Sequence, residues 1–261
     1  MKVSLLVSTY NRPDSLNLVI KSVLSQSHLP DEVVIADDGS SDDTRELIEK
    51  FSHNSTVKFV HSWQEDKGFR LARSRNIALA KISSEYVILI DGDMILHRSF
   101  IYDHLRNAKK GFFLQGKRVL LSETLTNEVL LKKELKINFF SKGIKNKKNQ
   151  IKSNILCRIF SRSSKKLRGI KTCNMSFFLD DCLKVNGFNN DIEGWGREDS
   201  EFAARLLNSG VTRKDLMFNA IQFHLWHHES SKASMPINDL ILKNTIDKKL
   251  TTCENGISDF L

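Results

Sequence analysis

Asp91 and Asp93 interrupt an apolar run, LIDGDMIL at 89–96, with one glycine between them. Aspartate is a poor strand former, and an unpaired buried carboxylate is costly. Side chains at i and i+2 of a strand point to the same side. Two carboxylates so placed at a strand end suit a hard divalent cation, which takes oxygen ligands and keeps positions open for phosphate oxygens. An ordinary acidic turn is the plain alternative. A second ligand source is HLWHH at 224–228, with His224, His227 and His228. An imidazole beside two carboxylates favours manganese over magnesium, which prefers an all-oxygen shell.

Three further strings carry chemistry. GWGREDSEF at 194–202 sets Trp195 between two glycines and puts Glu198 and Asp199 in the first turn of a helix. Acids there complement the helix dipole. A tryptophan in a glycine-flanked loop, however, presents a face on which a sugar ring stacks, and a nearby carboxylate can act as general base. GFRLARSRN at 68–76 offers Arg70, Arg73 and Arg75, whose forks match phosphate oxygens or form a solvated face. ADDGSSDDT at 36–44 is either a strand exit and helix cap or a place where Asp37 or Asp38 accepts from a nucleobase or ribose.

These residues need a scaffold, and the first 120 residues alternate between two periods. KVSLLVS (2–8), DEVVIADD (31–38), VKFVHS (57–62) and EYVILIDGD (85–93) read as strands. Segments opening at Pro13, at 41–51 and at 68–82 read as helices. Such alternation implies a parallel sheet covered on both faces, with ligands beyond the carboxyl ends of its strands. Three of those ends are polar: STYNR, DDGSSD and DGD. ETLTNEVLLKKELKINFF (123–140) fits a helix, and the stretch up to 171 reads as a mobile or partly helical insertion. Beyond it come a strand at 172–180, a short helix at 180–185, the turn NGFNN, a helix ending at Gly210, and a last strand at 217–228. The tail, 238–261, is polar and fits one helix.

The 261 residues suffice for a substantial core. Cys157, Cys173, Cys182 and Cys253 form no C-x-x-C pair, which points to reduced thiols rather than to a zinc site or a disulfide framework. No stretch approaches the roughly 20 apolar residues of a membrane span, and the N-terminal apolar run is too short for a signal peptide. A cytoplasmic location is therefore expected. The net charge of +9 is uneven: residues 132–171 hold eleven lysines and three arginines against Glu134, a balance of +13, leaving −4 elsewhere. A local anionic partner is expected for that segment, such as the inner face of the cytoplasmic membrane.

Taken in order, these motifs resemble the inverting, nucleotide-sugar-dependent glycosyltransferases of family 2. VSLLVSTYNR is similar to the family's opening strand, VVIADDGSSDDT to its base-reading segment, GFRLARSRNIALA to its arginine–asparagine helix, and YVILIDGDM to its metal-binding D-x-D. GFNNDIEGWGREDSEFAARL resembles the G-W-G-x-E-D segment of β-1,4-galactosyltransferases and bacterial chondroitin-type polymerases. The resemblance covers about 2–121 and 172–230, not 122–171 or the tail. It implies an α/β GT-A fold: a mixed, mainly parallel sheet flanked by helices, one domain with a basic insertion. A nucleotide-sugar half (1–121), the insertion (122–171), an acceptor and catalytic half (172–235) and a tail (236–261) would make up the chain.

The resemblance also implies roles. Thr9, Tyr10 and Arg12 would line the nucleotide pocket, and Asp38 would read the uracil edge, with Asp37 as alternate. Arg73 and Asn76 would hold the D-x-D region and the donor. Asp91 would face ribose and metal, Asp93 would ligate Mn2+ (or Mg2+), and His224 or His227 would complete the shell. Trp195 would stack on the acceptor, Glu198 would bind donor or acceptor hydroxyls, and Asp199 would be the base. Arg197 replaces the glycine usual in the galactosyltransferase pattern. The expected reaction moves a hexose or N-acetylhexosamine from a UDP-sugar to a glycan or lipid-linked glycan acceptor, in lipopolysaccharide or capsule synthesis. The alternative is a catalytically silent GT-A fold that binds nucleic acid or an anionic surface. No nucleic-acid partner is expected, because that reading leaves DGD, GWGRED and the histidines without a role.

Overall fold

A computed structural model describes residues 1–134, 136–137 and 140–261. The chain begins β1 (Val3–Thr9), α1 (Pro13–Leu24), β2 (Glu32–Asp37), α2 (Asp42–His53), β3 (Lys58–Trp63), α3 (Leu71–Leu79) and β4 (Tyr86–Asp91). It continues with β5 (Met94–Leu96), α4 (Phe100–Asn107), β6 (Phe112–Gln115), β7 (Val119–Leu121), α5 (Glu123–Lys132), β8 (Ile144–Lys145), α6 (Asn154–Phe160) and β9 (Ser163–Ser164). The last elements are β10 (Met175–Phe178), α7 (Leu179–Lys184), α8 (Glu198–Asn208), β11 (Thr212–Asp215), β12 (Gln222–His224) and α9 (Met235–Asp247).

The main sheet runs β3-β2-β1-β4-β10-β6-β11-β9. β3, β2, β1 and β4 are parallel, and β10 runs antiparallel to both β4 and β6. A smaller sheet, β5-β12-β7-β8, stands beside it. The near-continuous apolar strands follow from burial on both faces. Val3, Leu5 and Val7 of β1 pack with Leu16, Val19, Ile20 and Val23 of α1. Leu6 faces the other way, into a cluster with Ala72 and Ala78 of α3, Phe177 of β10 and Phe202 of α8. These contacts fix which ends of β1, β2 and β4 carry the polar residues.

Several expected boundaries move. β4 ends at Asp91, and Asp93 lies in the turn to β5 rather than on the same strand. The Gly92 N–H donates to Ser8 O at 2.7 Å, and a Cβ on Gly92 would sit a tight 3.0 Å from that oxygen, so a side chain there would push the turn away from β1. The expected strand at 172–180 is a 3-10 turn (Thr172–Asn174), then β10 and the start of α7. The strand expected at 217–228 shrinks to Gln222–His224. The helix expected over 123–140 is α5, ending at Lys132; residues 135, 138 and 139 of that expectation lie outside the described residues.

The insertion departs most from expectation. β8 joins the small sheet, β9 pairs with β11 at the edge of the main sheet, and α6 lies between them. The tail also has a structural role: Asn186 donates to Cys253 O at 2.9 Å, and Ile257 is buried in the cluster beneath α8. Among the described residues no helix is long and apolar enough to cross a membrane.

Candidate active site

The β5–β12 ladder sets His224 opposite Met94, one residue beyond Asp93. The Leu225 N–H donates to Asp93 O at 3.0 Å and extends that pairing by one step. His224 Nε2 and His227 Nε2 therefore approach Asp93 Oδ2 at 3.6 and 3.2 Å. One ligand atom from each of the three side chains lies within 4.8 Å of the others. Asp93 Oδ1 is buried without a hydrogen-bond partner, a state that burial penalises unless a cation or donor supplies the missing contact. Burial pushes His224 down to about 4, which keeps its lone pair free. Burial alone would raise the Asp93 carboxyl, but the two histidines and Arg12, 3.2 Å away, hold it below the usual range. One carboxylate and two imidazoles fit a manganese-like ion better than magnesium. Both histidines belong to this trio and Asp91 does not.

Asp91 instead meets an arginine. Arg75, 2% exposed, places Nη2 3.2 Å from Asp91 Oδ1 and Nη1 3.2 Å from Asp199 Oδ1. Its Nε donates to Ser8 Oγ at 3.1 Å, and its guanidinium lies 5.2 Å from the Phe188 ring centre. Glu198 Oε1 is 3.8 Å away. Burial drives the Glu198 carboxyl up to about 8, and Asp199 adds to the effect against the opposing Arg75. Asp199 is held further by Thr172: the hydroxyl donates to Oδ1 and the N–H to Oδ2 at 3.1 Å. Oδ2 thereby keeps one acceptor site on a side chain that is 23% exposed.

Two assignments change as a result. Arg73 does not hold the D-x-D region; its Nη1 donates to Gln64 Oε1 at 2.6 Å and its guanidinium covers Phe260. Asn76 does not reach it either. It donates to Phe188 O and Asn190 Oδ1 at 2.7 and 2.8 Å and accepts the Phe188 N–H, tying α3 to the NGFNN turn. Neither side chain bonds Asp91 or Asp93.

At the neighbouring strand ends, Asp37 is fully enclosed. It accepts from Ser40 N at 2.8 Å and contacts His61 Nε2 at 2.8 Å. Asp38 accepts from the Arg70 N–H at 2.8 Å and from the Gln64 side chain, while burial raises its carboxyl. Thr9 Oγ1 is buried without a partner, and the exposed Tyr10 donates to Asp66 Oδ2 at 2.8 Å.

On the far side, Gly194 and Gly196 have φ of +69° and +104°, and Arg197 has +80°. A Cβ on Gly194 would fall 2.1 Å from Ser234 Oγ, and one on Gly196 2.5 Å from Met235 Sδ. The loop is therefore pressed against the start of α9, where Asn238 donates to Glu193 O and Gly196 O. Trp195 is left 38% exposed, with Lys232 Nζ 5.5 Å from its ring centre. Arg197 is paired with Asp239 at 2.5 Å.

Sequence reasoning passed over Arg75, Thr172 and Arg118. Arg75 was visible as one of three arginines, but spacing did not single it out. Thr172 and Arg118 stand in no recognisable motif. Arg118 has no ion-pair partner among the described residues, and its charge acts on Asp91 and His224.

A model described as "Glycosyl transferase family 2" matches residues 4–167, and one described as "N-terminal domain of galactosyltransferase" matches 158–229. The chain belongs to glycosyl transferase family 2. It is 26% identical to a chondroitin synthase of Pasteurella multocida (strain Pm70), over 80% of this chain and 23% of that protein. It is 24% identical to a chondroitin synthase of Escherichia coli, over 87% of this chain and 34% of that protein. The chain thus spans about a quarter to a third of the length of these relatives. In fold it resembles Staphylococcus aureus TarS 1-349 in complex with UDP-GlcNAc: TM-score 0.66, 17% identity, covering 100% of this chain and 69% of that one. The family match extends through most of the insertion, which the sequence resemblance had left out.

Proposed function

We propose that the chain transfers a hexose or N-acetylhexosamine from a UDP-sugar to a hydroxyl of a glycan or lipid-linked glycan, with inversion, in bacterial lipopolysaccharide or capsule synthesis. The observation that carries this reading is the Arg75 bridge, which joins Asp91 of the D-x-D strand to Asp199 of the G-W-G-R-E-D helix. It brings a donor-side and an acceptor-side carboxylate to one guanidinium, beside the Asp93–His224–His227 trio. Complexes of TarS with UDP and with UDP-GlcNAc support the donor class, and the chondroitin synthases support a glycan acceptor.

In this reading residues 1–121 hold the nucleotide and 172–235 hold the acceptor. Tyr10 and the Asp38–Gln64 pair border the uracil, and Thr9 Oγ1 finds its partner on the donor. Arg12 and Arg118 add positive charge near the diphosphate. A divalent cation held by Asp93, His224 and His227, Mn2+ rather than Mg2+, would supply Lewis-acid neutralisation of the leaving diphosphate. Trp195 stacks on the acceptor sugar, and Glu198, whose carboxyl burial holds protonated, donates to a sugar hydroxyl. Asp199 Oδ2 takes the acceptor hydroxyl proton as that oxygen bonds to the anomeric carbon and the bond to the diphosphate breaks. A single in-line displacement turns an α-linked donor into a β-glycoside. All four cysteines are free, which supports action in a reducing compartment.

Calorimetric titration of UDP with and without Mn2+, on the wild type and Asp93→Ala, tests the reading. Manganese-dependent binding that Asp93→Ala abolishes is the expected result. Absence of UDP binding under both conditions overturns the donor assignment.

A further inference from the structure

α6 lies in the basic segment and is firmly docked. The Ser153 hydroxyl accepts from the Leu156 N–H at 3.2 Å, and the Ser153 N–H donates to Phe218 O at 3.0 Å. Lys152 pairs with the buried Asp103 just before the helix. After it, Asp215 N donates to Arg162 O at 2.9 Å and β9 joins β11. The inner side of the helix seats Cys157, 2% exposed, while Phe160 packs obliquely on Phe218 at 5.7 Å.

The outer side is unusual. Ile155 is 73% exposed and Ile159 is 61% exposed, one turn apart. Arg158 shares that helical face by the i, i+3 rule, and the exposed Arg162 follows two residues beyond the helix end. Neither arginine, nor Lys165 or Lys166 beyond them, has an ion-pair partner among the described residues. Isoleucines held out into water on an anchored helix are not the product of a loose loop, and the surrounding charge selects an anionic partner.

We infer that this outward face of α6 docks on an anionic lipid bilayer, with Ile155 and Ile159 entering the headgroup–acyl boundary and the four basic side chains contacting headgroup phosphates. A bilayer satisfies both features at once: apolar side chains insert while cations meet the negative surface potential, each worth on the order of fivefold in partitioning. Nucleic acid would meet the cations but offers no partner for two aliphatic side chains, and its single-stranded form is bound on aromatic platforms. The surface shares no residue with the nucleotide-sugar site, so it stands or falls independently of the proposed reaction.

The test is flotation with vesicles of phosphatidylcholine alone or mixed equally with phosphatidylglycerol, using the wild type, Ile155→Ser/Ile159→Ser and Arg158→Glu/Arg162→Glu. The wild type should float only with the mixed vesicles. Each double variant should lose about tenfold or more in partitioning, with an unchanged melting temperature because these side chains are exposed. Equal recovery of the wild type with both vesicle types overturns the proposal. So does loss of binding in the arginine variant alone, since that behaviour describes a general polyanion site, as would equal affinity for single-stranded DNA.

Discussion

Arg75 and Asp199 are 124 positions apart in the chain and 3.2 Å apart in space. With the longer Arg75–Glu198 approach of 3.8 Å, this contact joins the arginine–asparagine helix to the G-W-G-R-E-D helix through charged side chains. The second arm of the same guanidinium holds Asp91. The distance between the Asp91 and Asp199 carboxylates is therefore set by the width of one planar cation.

Arg75→Met should leave Asp91 and Asp199 without their cation. Removing one partner of a buried ion pair costs about 3–5 kcal/mol, and the low end applies because both carboxylates retain some water. Urea denaturation measures this. Arg75→Lys keeps the charge but loses the fork. It should retain UDP affinity and lower kcat at least about tenfold, a split that a purely structural role for Arg75 would not produce.

Asp199→Asn preserves shape and one of the two Thr172 contacts, since its amide nitrogen cannot accept, and it removes the ability to take a proton. Transfer should fall by about 10²–10⁴-fold while UDP binding stays unchanged. Substantial transfer by this variant, measured as UDP release, would remove Asp199 from the base role.

Trp195→Ala removes the exposed ring just before α8. The acceptor KM should rise about tenfold, the value of one good stacking contact, while the donor KM stays constant. An equal effect on both substrates would place Trp195 in general loop support instead.

His104 provides a pH test outside the site. Burial pushes it down to about 4, against a partly opposing bond to Asn174. The neutral ring is therefore favoured in the folded chain, whereas the unfolded chain binds the proton near pH 6.5. Its contribution is complete above about pH 6.5 and is lost as pH falls toward about 4, amounting to about 3 kcal/mol. His104→Gln should flatten the stability profile across that window relative to the wild type, as read from melts at successive pH values.

Much of this architecture was legible in the sequence. The runs at β1, β2 and β4 and the amphipathic α1 announced a sheet with helices on both faces, and residues of the acidic, histidine and G-W-G strings do come together in space. The choice between Arg73 and Arg75 was not legible. Two residues turn about 200° around a helix, and periodicity reveals spacing without showing which side faces the strand ends. Thr172 sits in a 3-10 turn within a segment whose composition reads as strand, so nothing marked it as a partner of Asp199. The insertion misled through its charge. Its short elements are held by tertiary contacts such as Lys152–Asp103 and the β9–β11 pair, which leave no local pattern.

The small sheet has a thermodynamic consequence. β5 and β12 are three residues each, and their pairing delivers His224 to Asp93. Ladder and ligand cluster therefore share one free energy. Whatever draws the three side chains together also closes the strands, by RT ln(1 + [L]/Kd), and whatever frays the strands disperses the ligands. Amide exchange at Phe223 and His224 should slow as Mn2+ is added, making a short ladder at the rim of the fold a reporter of events at its centre.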